Sequence, residues 1–317
     1  MSRPSRILVT GAAGFLGRAV VAGLTRGGSS VRAAVRRPPP FSFADGVEVV
    51  EHGDLAQDFD WRPLLEGVNR VVHLAGIAHA GRGIAAERYD QVNRQATARL
   101  AAAAARAGVV HFVLVSSIRA QSGAAADHML SERDAPAPTD DYGRSKLAAE
   151  GEVRAAGVPF TILRPVVLYG PGVKGNFATL LRVARSPMPL PLKDFVNRRS
   201  FLGVNNFLSA LAFVLDEAAG RGEIYVAADP GPALPLADVV ATLRKAQRRR
   251  PLLLSLPTDF VEIPLRLIGR AELWERFGGE LVVDPGKLIA AGWHPAHDTR
   301  AGLAALLQAA ALRAASA

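Results

Sequence analysis

Arg6-Ile7-Leu8-Val9-Thr10-Gly11-Ala12-Ala13-Gly14-Phe15-Leu16-Gly17 decides how the chain is read. A short apolar run meets three glycines at Gly-x-x-Gly-x-x-Gly spacing, and an amphipathic stretch follows at once. The run predicts a buried strand over Arg6–Thr10 and a helix over Phe15–Arg26, with the glycines in the turn between them. Gly11 permits the tight turn, Gly14 lets a ligand approach the backbone, and Gly17 lets the helix pack closely on the strand. The start of the helix then offers unpaired N–H groups and a partial positive charge to a pyrophosphate. Phe15 and Leu16 begin that helix, so the cofactor-binding set opens as Gly11, Gly14, Phe15, Leu16 and Gly17.

Outward from this turn, short apolar runs alternate with helical stretches. Further strands are expected at Val31–Val35, Val47–Glu51, Arg70–Leu74, His111–Ser116 and Phe160–Leu163. Helices are expected at Trp61–Leu65, Ala86–Ala107 and Tyr142–Ala156. Such alternation predicts a parallel sheet covered by helices. The fold class is therefore α/β: a Rossmann-type doubly wound parallel sheet with a smaller, discontinuous C-terminal substrate domain. The boundaries place the NAD(P)-binding Rossmann domain at residues 1–165, rejoined by about 200–229. The substrate-binding region takes 166–199 and 230–317. Beyond residue 166 prolines thicken and alternation is lost, with helices at Val204–Ala219, Leu236–Arg248 and Arg300–Ala314 and a strand at Glu223–Ala227. Leu252–Leu254 and Val261–Ile268 read as core or lid rather than as a membrane anchor.

The 317 residues are 49% hydrophobic and 21% charged, enough for a large core and too apolar for disorder. Without cysteine, disulfides and thiolate metal sites are excluded, which suits a reducing compartment. No run approaches the ~18 uninterrupted apolar residues of a membrane span, and no signal-peptide order is seen. A cytoplasmic protein without membrane insertion is the expectation. The formal charge of +9 raises nucleic-acid binding, but aromatics are only 6%, which leaves few stacking platforms. No nucleic-acid partner is expected. No His, Asp or Glu grouping has a metal-ligand spacing, so no metal is expected.

His111–Ser117 reads as a strand ending in two hydroxyls. Twenty-five residues past Ser117 comes Tyr142-Gly143-Arg144-Ser145-Lys146. Tyr142 and Lys146, four apart on a helix, share one face. The ammonium acidifies the phenol so that it can act as a base, and also holds the nicotinamide ribose. Ser117 hydrogen-bonds the reacting oxygen. Ser117, Tyr142 and Lys146 are the catalytic set; Tyr142 and Lys146 also belong to the cofactor set, and Ser117 and Tyr142 to the substrate set. At the end of the second strand, where an acidic residue would accept from the 2′-hydroxyl of NAD, stands Arg36, which suits the 2′-phosphate of NADP. The cofactor is NAD or NADP, with a lean to NADP. Asp54, followed by Leu55, is placed to accept from the adenine amino group.

Taken in order, Thr10-Gly11…Gly17, Asp54-Leu55, His73-Leu74-Ala75-Gly76, Val92-Asn93, Ser116-Ser117, Tyr142…Lys146, Leu163-Arg164-Pro165 and Tyr169-Gly170-Pro171-Gly172 resemble the extended short-chain dehydrogenase/reductases, and within them the NAD-dependent epimerase/dehydratase family. The resemblance covers most of residues 6–290. It implies that Leu55, Leu74, Ala75, Gly76, Asn93 and Pro165 join the cofactor site. It also implies a nucleoside diphosphate held by Asn176 and Arg199, with Arg276 a weaker phosphate contact. Ile118-Arg119 stands where the dehydratases of the family carry Asp-Glu, which disfavours dehydration. Two chemistries remain: a UDP-glucose or UDP-hexosamine 4-epimerase of polysaccharide biosynthesis, and an NADPH-dependent reductase of a nucleotide-4-keto-sugar. Arg36 tilts towards the second and the resemblance towards the first. A non-catalytic dinucleotide sensor is the remaining alternative, against which both Tyr142 and Lys146 count. A UDP-linked nucleotide sugar is the expected partner, and a homodimer is compatible with the sequence.

Overall fold

Alternate residues of a strand leave on opposite faces, and here both faces are apolar. β1 (Arg6–Thr10) sends Ile7 and Val9 into one buried layer and Leu8 into the other. β5 (His111–Val115) does the same with Val113 and Val115 against Phe112 and Leu114. With β2 (Ser30–Val35), β3 (Glu48–Glu51), β4 (Arg70–His73), β6 (Phe160–Pro165) and β10 (Glu223–Ala227) they form one seven-stranded sheet in the order β10-β6-β5-β4-β1-β2-β3. Every neighbouring pair is parallel. The computed structural model describes residues 6–77, 83–173, 175–216, 220–257, 259–267 and 279–315.

The chain runs from β1 outward to β3 and then crosses to the other side of β1 to lay down β4. The crevice at the carboxyl ends of β1 and β4 is thus the point where the strand order reverses, the place at which open α/β sheets bind ligands. α1 (Phe15–Arg26) and α7 (Val204–Leu215) cover one face. α2 (Arg62–Leu65), α4 (Ala96–Arg106) and α5 (Asp141–Ala155) cover the other. α4 follows α3 (Ala86–Tyr89) through a wide π-helical turn over Asp90–Gln95. Its small residues Ala101, Ala103 and Ala104 are buried, which lets it lie close on the sheet.

The expected alternating half is present nearly residue for residue, while the tail holds elements that its prolines concealed. β7 (Val167–Tyr169) pairs in parallel with β9 (Phe201–Gly203). β8 (Arg198–Arg199) pairs antiparallel with β11 (Leu234–Pro235). α6 (Gly175–Arg185), α8 (Leu236–Ala246), α9 (Asp259–Leu267), α10 (Gly286–Ala290) and α11 (Thr299–Ala315) complete the chain. Phe177, Phe195, Phe201, Val239, Val240, Leu243 and Leu303 form a separate apolar cluster there. α8 stops at Ala246, short of the expected Arg248, because Arg248 adopts φ 58° and turns the chain. Leu252 and Leu254 are not core: both are about half exposed, and only Leu253 between them turns inward.

One carboxylate joins the two parts. Asp229, just past β10, accepts from the Tyr169 hydroxyl at 2.7 Å, Thr299 Oγ1 at 3.1 Å, Gly203 N–H at 2.9 Å and Asn206 Nδ2 at 2.7 Å. Burial raises its pKa, and the four donors work against that rise. Asp229→Ala would leave those donors buried without an acceptor. We predict a loss of roughly 3 kcal/mol in urea unfolding; a midpoint equal to wild type would show that the joint carries no stability.

Candidate active site

The glycine turn is shaped for close approach. Gly11 sits at φ +68°, and a Cβ there would lie 2.8 Å from the Ala75 nitrogen. A Cβ on Gly17 would lie 2.1 Å from the Gly11 carbonyl oxygen. Gly14 precedes α1 with extended backbone and no side-chain cap, so the first N–H groups of the helix are left for a ligand. A tight glycine turn that leads into uncapped helix N–H groups fits the phosphates of a dinucleotide.

Contacts lead from this turn to α5, which carries Tyr142 and Lys146. Gly11 packs on Leu74 and Ala75. A Cβ on Gly76 would lie 2.8 Å from Asn93 Oδ1. Asn93 accepts from the Ile77 N–H at 2.7 Å and donates to the Ile77 carbonyl at 3.1 Å and to Ser145 Oγ at 2.9 Å. Both amide hydrogens are therefore spent. Asn93, expected among the cofactor ligands, is a buried strut between the loop after β4 and α5. Leu55, also expected there, packs into the apolar layer of α2, α4 and α5.

Beneath this loop lies a buried imidazole, and its tautomer can be deduced. Thr97 Oγ1 gives its one hydrogen to the Asn93 carbonyl at 2.6 Å. His73 Nε2, 2.9 Å away, must then donate to Thr97. Nδ1 is left to accept from Thr10 Oγ1 at 2.7 Å, and Thr10 Oγ1 accepts from the Ala75 N–H at 3.2 Å. Burial pushes His73 down to about 3, so the ring is neutral at physiological pH.

At the end of β5 the two serines part. Ser116 Oγ donates to Glu150 Oε1 at 2.5 Å, whereas the Ser117 and Tyr142 hydroxyls hydrogen-bond to each other. Ser117 Oγ also accepts from the Arg119 N–H at 3.2 Å. Asp140 caps α5 through the Gly143 N–H at 2.7 Å and pairs with the Arg119 guanidinium. A Cβ on Gly143 would lie 2.3 Å from the Arg119 carbonyl. Only glycine lets α5 start against that turn, and this brings Tyr142 to Ser117. Sequence reasoning missed Gly143 and Arg119, although both flank motif residues.

Lys146 is buried, and its ammonium donates to the Val115 carbonyl at 2.8 Å. Burial lowers its pKa to about 8 while Glu150, one turn further along, pulls the other way. Burial raises Tyr142 to about 12, against the Ser117 hydrogen bond and the Arg119 charge. The expectation that Lys146 acidifies the phenol is thus not met in this state: desolvation dominates, and the ammonium is engaged with a carbonyl. Glu150 in turn binds Arg164 through Nε at 3.0 Å and Nη2 at 2.5 Å, and Arg164 also reaches Gln121. Tyr142, Lys146 and Glu150 stand at i, i+4 and i+8, a spacing that could have pointed to Glu150.

The remaining expected residues divide. Pro165 ends β6, and Arg36 is exposed just past β2, with its charge felt at Asp54 and His52. Asp54 is held by Arg88 at 2.7 Å and by the Ala56 N–H at 3.0 Å, which together lower its pKa. Its carboxylate is thus engaged by the protein on one side and remains partly exposed. Arg199 is buried and donates to the carbonyls of Gly279 at 2.6 Å and Ala124 at 2.9 Å, with its pKa lowered by burial to about 10. In this state it holds backbone together. Asn176 lies on α6, but its side chain, like all of Arg276, falls outside the described residues. Among the described residues no group of His, Asp and Glu could hold a metal ion.

The sequence profile of the NAD dependent epimerase/dehydratase family matches residues 7–228. A UDP-glucose 4-epimerase of Vibrio cholerae is 32% identical and aligns with 96% of this chain and 95% of its own. A ceramide reductase of Caulobacter vibrioides is 36% identical over 69% of this chain and 63% of its own. Among solved structures, MoeE5 in complex with UDP-glucuronic acid and NAD superposes with a TM-score of 0.75 at 26% identity, over 98% of this chain and 100% of that one.

The buried ammonium gives stability a signature in pH. A lysine lowered in the folded state binds its proton less tightly there than when unfolded. Its contribution is present above the unfolded value of 10.5 and is lost as pH falls through about 8. Between pH 8 and 10 the urea midpoint of the wild type should therefore rise relative to that of Lys146→Met. Parallel curves would show that Lys146 is not desolvated.

Proposed function

The chain belongs to the NAD dependent epimerase/dehydratase family, within the extended short-chain dehydrogenase/reductases, and from that premise we propose that it is a nucleotide-sugar 4-epimerase acting on a UDP-linked hexose or hexosamine. The observation that carries this reading is the unbroken run of contacts from the glycine turn through Ala75, Gly76 and Asn93 to Ser145, beside Lys146 and Tyr142. Gly11, Gly14 and Gly17 would hold the pyrophosphate of a dinucleotide, and the loop after β4 connects them to the helix that carries Tyr142 and Lys146.

NAD held there would supply the two-electron acceptor and donor for the hydride at the sugar C4. The chain's own residues handle the proton and the oxygen. Tyr142 as phenolate takes the C4 hydroxyl proton and later gives it back. Ser117 donates a hydrogen bond to the C4 oxygen as it becomes a carbonyl and again as it is re-protonated. Lys146, fixed on the Val115 carbonyl, keeps a positive charge one helical turn from the phenol. Gly143 and the Arg119–Asp140 pair hold the two hydroxyls in register. On the substrate side, Arg199 and Asn176 are the proposed diphosphate and nucleotide contacts, and Arg199 would exchange carbonyl partners for phosphate oxygens.

A second reading, reduction of a nucleotide-4-keto-sugar by NADPH, is favoured by Arg36, which stands exposed past β2 where an acidic residue would suit NAD. The relative named as a ceramide reductase supports this second reading. The readings differ in what the protein retains. An epimerase must keep its cofactor through both half-reactions, so mass spectrometry of the purified protein should find NAD; an empty protein that turns over only with added NADPH supports the reductase. Tyr142→Phe should lower turnover of the matched UDP-sugar by about 10²–10⁴ while leaving cofactor affinity within about twofold. Unchanged turnover removes Tyr142 from the mechanism.

A further inference from the structure

We propose that the face formed by residues 186–196, 251–257 and α9 docks on the surface of an anionic phospholipid bilayer. Arg199, the joint at Asp229 and the Ser117–Tyr142 pair take no part in it, and it does not rest on the chemistry proposed above.

Two extended segments run side by side to make this face. Leu190 N–H donates to the Leu252 carbonyl at 3.0 Å, Leu254 N–H to the Leu190 carbonyl at 2.8 Å, and Lys193 N–H to the Leu254 carbonyl at 3.1 Å. The Arg244 guanidinium clamps both from beneath, through the carbonyls of Ser186, Met188 and Pro251. The pairing is fully built, yet it presents apolar side chains outward. Leu252, Leu254 and Leu256 are 47%, 48% and 39% exposed, and Met188 beside them is 67% exposed. Alternation along an extended segment explains why Leu253 alone turns to the core. Leu252 keeps its place at φ 44°, a region where a bulky side chain is strained, so the outward leucine is held against a local cost.

α9 continues the same face. Phe260 N–H donates to the Pro257 carbonyl at 3.0 Å, so the helix starts directly from the leucine segment. Phe260, Ile263 and Leu267, at i, i+3 and i+7, share one side of it and are 68%, 54% and 81% exposed. On another side, Glu262 and Arg266 satisfy each other at 2.7 Å. An amphipathic helix whose apolar side meets solvent, joined to an exposed leucine row, is the geometry of interfacial binding.

The charge around this face selects the occupant. Residues 182–196, 244–257 and 259–267 hold Arg182, Arg185, Lys193, Arg244, Lys245, Arg248, Arg249, Arg250 and Arg266 against three acids, Asp194, Asp259 and Glu262, and most of the cations stand on the segments that flank the apolar side chains. Most of the chain's +9 is thus gathered here, and all of those cations except Arg244 are exposed. Asp194 is itself engaged by Ser255 Oγ at 2.7 Å. A second copy of the chain would bring the same positive charge to the same place, which opposes pairing through this face. An anionic headgroup layer over an acyl interior matches both components. Among the described residues no helix is long and apolar enough to cross a membrane, so the contact is peripheral.

The test is co-sedimentation of the full chain with vesicles of phosphatidylcholine alone and with vesicles containing phosphatidylglycerol. Binding is expected to the anionic vesicles, at least about tenfold above neutral ones, and to weaken as salt rises. The triple substitution Phe260→Ser, Ile263→Ser and Leu267→Ser should reduce it at least about tenfold. The separate pair Arg248→Ser and Arg250→Ser should reduce it chiefly at low salt. Both variants are expected to unfold in urea at the wild-type midpoint, because the changed side chains are exposed. Wild-type protein that stays in the supernatant, or variants that sediment as wild type does, overturns the proposal. So does a concentration-dependent dimer that the triple variant abolishes, since the face would then belong to a second copy.

Discussion

The carboxylate of Glu150 is the constraint around which the carboxyl ends of β5 and β6 are arranged. Its side chain is almost wholly removed from water, as is that of Arg164, its partner. A buried carboxylate left without donors would cost several kcal/mol, so each of its neighbours has a fixed orientation. Ser116 must point inward to it, which leaves Ser117 as the hydroxyl that faces Tyr142. Arg164 must lie flat along it, which fixes the end of β6 near Pro165. Lys146 on the preceding helical turn keeps its ammonium beside a negative charge, and this partly offsets its desolvation. A buried pair of this kind is weak as a source of stability and strong as a source of orientation. With Lys146 and Arg164 positive and Glu150 negative, the net charge behind the phenol remains positive.

The polar run through His73 sets the other wall of the crevice by the same logic with neutral groups. Every hydrogen bond from the Ala75 N–H to the Asn93 carbonyl runs in one direction. A protonated ring would need a second acceptor in place of the Thr10 hydroxyl hydrogen, and burial forbids the charge. The loop over Leu74–Gly76 is therefore held by an imidazole that does not titrate in the working range. Glycines complete the fit: the space at Gly11 is limited by Ala75, and the space at Gly76 by Asn93.

How much of this was legible in the sequence follows from the range of the interactions. Local signals carried the alternating half: period-two strands, glycine spacing and the four-residue interval from Tyr142 to Lys146 all act within one element. Glu150 extends that interval by one more turn, but its partners Ser116 and Arg164 come from two other strands, and no local pattern announces them. Asn93 was visible as a residue and not as a strut, because its role depends on Ile77 and Ser145, 16 and 52 positions away. In the tail, Pro187, Pro189 and Pro191 conceal real pairing: Leu190, between two of them, still donates its N–H to the Leu252 carbonyl and accepts from the Leu254 N–H. The acidification of Tyr142 by Lys146 is a chemical inference from spacing alone, whereas in the folded chain burial raises the phenol and the largest influence on it is desolvation.

The basic surplus illustrates a further limit of composition. Read as a total, +9 with few aromatics speaks against nucleic acid and otherwise suggests a general arginine bias. Read by position, it is concentrated beside exposed Leu, Met and Ile side chains with a single phenylalanine among them. Aliphatic groups add nothing to a phosphodiester backbone, whose recognition needs cations together with stacking platforms. They do contribute where a charged layer lies over hydrocarbon. The same count of arginines therefore carries different meanings according to what stands next to them, and that adjacency is created by the pairing of two segments some sixty residues apart in sequence.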